Sequence, residues 1–170
     1  MFVKKDYIDL YHDWIKNSKW WFHADDNDDN EICNKYSYLV NDVSWRNVPF
    51  NENNLQYWIG VIIFNDQIIR HINRVSEEKY QLHNVIDISY MILNDYVPHS
   101  QHLTSNDLIF VLLPLRHTCI PEHVFYATQC AFKYLENKPY SETIKKFIKA
   151  AFKRVIHENN HILIKKSELI

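Results

Sequence analysis

Apolar residues recur along most of this chain three and four positions apart, the period of one helix face. In residues 5–17, Tyr7, Leu10, Tyr11, Trp14 and Ile15 form such a stripe, and the pattern predicts an amphipathic first helix. A second is expected after Asp29 as its cap, with Ile32, Cys33, Tyr36, Leu39 and Val40 on its buried side. Residues 42–53, with Pro49 and several Asn and Asp, read as a loop. Asn54 then opens a long third helix through Leu55, Trp58, Ile62 and Ile69, and a fourth is predicted from Ser76 to Asn94. Thr104-x-x-Asp107 has the spacing of a capping box ahead of an apolar segment, Leu108 to Leu115, interrupted by Pro114. Pro121 suits the first turn of a sixth helix through Tyr134, and a last one is expected from Glu142 to about His157.

Sheet signals are missing. Gly60 is the single glycine, so tight hairpin turns have little to work with, and the chain reads as all-α. At 170 residues, with 46% hydrophobic residues, it can fill one core, and a single domain spanning 1–170 is expected. A net charge of −2 supplies no field for gathering phosphate backbones, which argues against nucleic acid as the main partner. No apolar run is long enough to span a membrane, and the N-terminus lacks the apolar core of a signal peptide. Cys33, Cys119 and Cys130 are widely spaced and odd in number, as expected of reduced thiols in a cytosolic protein. Abundant Asn and Ile with little Gly and Ala point to an AT-rich genome, such as that of a parasite, protist or large DNA virus.

Three segments invite chemistry and do not support it well. The acidic run 24–31 alternates oxygen donors but lacks the glycine and the bidentate Glu of a calcium loop, so helix capping is the better reading. His157-Glu158-Asn159-Asn160-His161 matches H-E-x-x-H, yet a zinc site needs a third ligand, and Glu168 is the sole carboxylate that follows. His99 and His102 sit in a loop beside Pro98 without a carboxylate or thiol nearby, and surface histidines are expected there. No metal or cofactor is implied.

The informative stretch is 62–74, where the apolar third helix runs into Asp66, Gln67, Arg70, His71 and Arg74. Asp66, Arg70 and Arg74 fall one turn apart on one face, flanked closely by Ile62, Ile63, Ile68 and Ile69. A narrow charged strip beside a core suits an anion-binding groove, because an Arg fork matches phosphate or carboxylate. Leu113-Pro114-Leu115-Arg116-His117-Thr118 is a second polar interruption of an apolar helix, where Pro removes a backbone donor.

Asp66-Gln67-x-x-Arg70-x-x-x-Arg74 resembles the L-D-Q-x-x-R-N-x-x-R signature of the uncharacterised family called domain of unknown function 924. Leu113 to Thr118 is similar to that family's L-P-x-x-H-S-E, and Trp21-Phe22 with Asp29 and Ile32 to its W-F…D-x-x-I, over roughly residues 10–136. In this chain Asn65 stands for the motif's Leu, His71 for its Asn and Thr118-Cys119 for its Ser-Glu, and residues 142–170 hold no counterpart of its C-terminal F-G-R-F-P-x-R-N. The resemblance implies a tetratricopeptide-like stack of antiparallel helices, six to seven here, and no established activity. The expectation is that the helix bearing Asp66 packs against the segment around Pro114. Asp66 and His117 would then form an acid/base pair, with Gln67, Arg70, Arg74 and Arg116 binding a small anionic ligand and Trp21, or else Trp20, walling the site. The rival is a helical interaction module that binds a peptide or a second copy of itself.

Overall fold

The computed structural model describes residues 4–96 and 103–158, which contain helices and no strand. The helices are α1 (Lys4–Lys16), α2 (Lys19–Phe22), α3 (Asp26–Tyr36), α4 (Leu55–Ile63), α5 (Ile69–Val75), α6 (Ile86–Tyr96), α7 (Ser105–His117), α8 (Pro121–Asn137) and α9 (Glu142–Glu158). A π-helical turn, Phe64–Ile68, joins α4 to α5 without a break, so the described residues hold eight separate helices, slightly more than the sequence predicts. The all-α, tetratricopeptide-like class holds. By packing the chain divides into two compact units, Met1–Ile88 and Ser89–Ile170.

In the first unit α1 packs on α4 and α3 on α5. The stripe read from the sequence is the buried one: Tyr7, Leu10 and Trp14 of α1 are sealed, as are Trp58, Ile59, Ile62 and Ile63 of α4. Each such side chain contributes about 1.5–3 kcal/mol by leaving water. Gly60 sets how closely the two helices approach, since a Cβ there would lie 2.1 Å from the Tyr7 carbonyl oxygen. The Tyr7 hydroxyl donates to the buried Asp42 carboxylate at 2.5 Å, and burial together with that carboxylate pushes the phenol far above its usual range. Asp42 also accepts from the Ser44 N–H at 3.1 Å, tying the loop after α3 to the core.

Two boundaries differ from expectation for local reasons. The cap of α3 is Asp25, not Asp29: its side chain accepts from the Asp28 N–H at 3.0 Å while Asp28 accepts from the Asp25 N–H. The Asp28 N–H and the Lys19 ammonium hold the Asp25 carboxyl down at about 2. The predicted fourth helix begins at Ile86 instead of Ser76. Across 76–85 side chains satisfy the backbone in place of helical bonds: Asn73 exchanges two hydrogen bonds with the Tyr80 backbone, and Lys79 donates to the Asn73 and Ser76 carbonyls.

In the second unit α7, α8 and α9 pack on one another. The capping box is present, with Thr104 accepting from the Asp107 N–H at 3.1 Å, and Pro121 occupies the first turn of α8. Pro114 lies inside α7, which continues to His117. The Tyr134 hydroxyl, on the buried face of α8, donates to the Leu103 carbonyl at 3.1 Å.

Candidate functional site

The polar stretch of the third helix begins in the wide turn. Within Phe64–Ile68 the Ile69 N–H reaches back five residues to the Phe64 carbonyl, which breaks the ordinary helical register at the Asn-Asp-Gln segment. Asn65 is sealed, its side-chain N–H donating to the Val61 carbonyl at 2.9 Å, while its Oδ1 finds no partner among the described residues. Asp66 is also buried; Gln67 donates to its Oδ2 at 2.7 Å. Arg70 reaches back over the turn, its Nε donating to the Asp66 carbonyl at 2.7 Å and Nη2 lying 3.7 Å from Asp66 Oδ1. Asp66, Gln67 and Arg70 thus come together as the sequence suggests.

One turn on, α5 meets α3 through a group that sequence reasoning did not place in the site. Asp29, expected as a helix cap, instead lies on the buried face of α3, and its Oδ1 is 2.6 Å from His71 Nδ1 and 3.3 Å from Arg74 Nη1. Arg74 Nη1 is 3.1 Å from His71 Nδ1 as well. A carboxylate only accepts, so the imidazole carries its proton on Nδ1 and donates to Asp29, and the guanidinium is then directed at Asp29. The indole of Trp14, from α1, stands edge-on to the imidazole with centroids 5.7 Å apart. Burial, and secondarily the Arg74 cation, pulls the His71 pKa below the ordinary histidine value despite the Asp29 hydrogen bond, so His71 is neutral at physiological pH. The ion pair in this cluster is therefore Asp29 with Arg74. The helix phase could have revealed Asp29: it precedes Ile32, Cys33 and Tyr36 by three, four and seven positions on the apolar stripe.

The remaining expected residues are placed as follows. Trp21 is half-buried on α2, its indole N–H donating to the Trp14 carbonyl at 2.8 Å, while Trp20 is a core residue. Arg116 and His117 end α7 in the second unit, both half-buried, with the Arg116 guanidinium 5.4 Å from the Phe147 ring centre. Asp66 belongs to the first unit, where Asp29 holds the imidazole of His71. Among the described residues no cluster of His, Cys, Asp and Glu could hold a metal ion. In the acidic run, Asp25 and Asp28 are taken up by capping and by Lys19, at 2.9 and 2.7 Å. The histidine pair 99 and 102 and the end of the H-E-x-x-H segment, 159–161, lie outside the described residues. The three cysteines are free thiols, Cys130 buried and the others half-buried.

Fold and motif spacing define a helical, tetratricopeptide-like protein carrying an Asp-Gln-x-x-Arg-x-x-x-Arg segment that starts in a π turn and runs into α5. Residues 9–165 match the family described as bacterial protein of unknown function (DUF924), and the chain belongs to it. The match extends beyond residue 136, where the recognised motifs stop. No curated protein and no solved structure matches the chain.

Proposed function

We propose that the first unit binds a small anionic ligand, with phosphorylated metabolites as the leading class, at Arg70 and Arg74. The observation that carries this reading is how the two guanidiniums are held. Each is anchored on its inner side by a carboxylate of 8% or 4% exposure, Asp66 and Asp29, while 41% of Arg70 and 54% of Arg74 faces solvent. A guanidinium has five N–H donors, and these contacts engage only some of them. The outward donors of Arg70, held by two contacts to Asp66, are thus preoriented for an oxyanion, while Arg74, held on Asp29 at 3.3 Å, is exposed enough to turn toward it. Gln67 locks Asp66 in place and so positions Arg70. The π turn supports the reading too, since such turns are frequent at functional sites. A cytosolic setting belongs to the same proposal and fits the free thiols.

Thermal-shift titration with inorganic phosphate, sulfate and a panel of phosphorylated metabolites tests it, comparing wild type with Arg70→Ala and Arg74→Ala. A ligand at a hundredfold over its Kd stabilises by about 2.7 kcal/mol, and that gain should be lost in both variants. No shift with any anion, or an undiminished shift in both variants, overturns the proposal. The first result, together with concentration-dependent self-association, would favour an interaction module.

A further inference from the structure

We propose that this anion site is proton-linked: an oxyanion that draws the Arg74 guanidinium away leaves the buried Asp29 carboxylate to His71 alone, and the imidazole takes up one proton. The inference rests on reading Arg74 as an anion-binding group and adds how the site responds when that group is engaged.

Its basis is that one carboxylate oxygen serves two partners. Asp29 Oδ1 takes the His71 Nδ1–H at 2.6 Å and the Arg74 guanidinium at 3.3 Å. Asp29 and His71 are fixed, 4% and 5% exposed, between packed α3 and α5 with Trp14 against the ring. Arg74 is the exposed member, with 54% of its side chain in solvent. In the free protein its charge neutralises Asp29 and, 3.1 Å from Nδ1, repels a proton on the imidazole. Engaging Arg74 with an anion reverses both effects. A buried carboxylate without a countercharge is costly, and the nearest group able to supply one is the imidazole already bonded to it.

The other charges near His71 push the same way or are already balanced. Asp28, also from α3, favours the protonated ring at long range and is itself paired with Lys19 at 2.7 Å. On the histidine's own helix, Arg70 and Asp66 offset each other. Trp14, from α1, does not titrate. The proton comes from solvent, and its uptake accompanies binding with no covalent change. His71 stands where the resembled motif has Asn, so His71→Asn is a mild way to remove the proton acceptor.

Histidine side-chain NMR titrations follow the imidazole directly, with the His71 signal assigned by its loss in His71→Asn. Wild type should titrate below the ordinary value of about 6.5. Arg74→Gln, an exposed substitution, should raise the His71 pKa with no ligand added, and saturating sulfate should raise it in wild type. Sulfate does not titrate near neutrality, so calorimetry in two buffers of different ionisation enthalpy reads proton uptake by the protein alone. Affinity should tighten by up to about tenfold per unit fall in pH between the free and bound pKa values, a dependence absent in His71→Asn. An unchanged His71 pKa in Arg74→Gln overturns the linkage whether or not sulfate binds. Sulfate binding without proton uptake overturns the linkage and leaves the anion site standing. Absence of binding by sulfate and by every other anion of the panel overturns both.

Discussion

Replacing Gly60 with alanine tests the closest helix contact in the first unit, and intrinsic propensity and packing predict opposite signs. Ala is favoured over Gly inside a helix by about 1 kcal/mol. Yet the new methyl would lie 2.1 Å from the Tyr7 carbonyl oxygen and 2.9 Å from its carbon. Relief requires α1 to retreat by about 1.4 Å, because ordinary contacts between heavy atoms lie near 3.5 Å. The obstacle is backbone, which cannot rotate aside as a side chain would. Overpacking costs about 1–3 kcal/mol, and an immovable neighbour puts this case at the upper end. Retreat would also loosen Tyr7, Leu10 and Trp14, all sealed on the same face of α1. The net expectation is a loss of about 2 kcal/mol, or a Tm lower by about 4–8 °C for a chain of this size. All five tryptophans, Trp14, Trp20, Trp21, Trp45 and Trp58, lie within the first unit, so urea unfolding followed by their fluorescence reports on it specifically. A Gly60→Ala protein as stable as wild type, or more so, would refute the claim that this glycine is needed for close approach.

Three further outcomes follow from the same geometry. Tyr7→Phe should destabilise the first unit by about 1–3 kcal/mol in urea, because it removes a donor from the buried Asp42 carboxylate. Thr104→Ala should cost about 1 kcal/mol, measured as a lower midpoint in far-ultraviolet circular dichroism, through loss of the α7 cap. The lowered pKa of His71 sets a sign for pH dependence: below about pH 6.5 the unfolded chain takes a proton that the native ring refuses, so stability falls as pH falls toward the folded pKa. Urea midpoints across that range should decline in wild type and flatten in His71→Asn.

How much of this could be read from the sequence depends on whether the cause was local. Helix existence followed from three- and four-residue periodicity, and the Thr104 and Pro121 starts followed from chemistry within one turn. The start of α6 was misplaced because the apolar pattern ran on through Tyr80 and His83, whereas long-reaching Asn73 and Lys79 side chains satisfy that backbone outside a helix. Asp66, Gln67 and Arg70 were legible as a group since the contacts that join them to one another span four residues or fewer. The partnership of Asp29 with His71 spans 42 residues, and an acidic run that reads as solvated capping hid a buried member. The wide turn was invisible too: nothing in Phe-Asn-Asp-Gln-Ile marks a five-residue step, and Asn65 was read only as a departure from a motif.

Apart from Ser89 of α6, whose buried Oγ also has no hydrogen-bond partner among the described residues, the buried polar groups divide between architecture and the candidate site. Asp42 ties a loop to α1, Asp107 caps α7, and Thr128 donates to the Val124 carbonyl inside its own helix. Each has a structural partner that explains its burial. Asp66, Asp29 and His71, by contrast, contact half-exposed arginines, and Asn65 precedes Asp66 in the chain. Asn65 buries an oxygen without a hydrogen-bond partner among the described residues, and Asp66 and Asp29 sequester carboxylates whose cations are half in solvent. Such exposed-to-buried pairs contribute little net stability, and apolar residues of similar volume would pack at least as well. All four lie on α3 or on the helix that runs through the π turn, the same elements that aim Arg70 and Arg74 outward. A helix that departs from regular geometry and buries charge over the same few residues forgoes stability there, and the anion grip proposed for the two arginines is a role that would account for both departures.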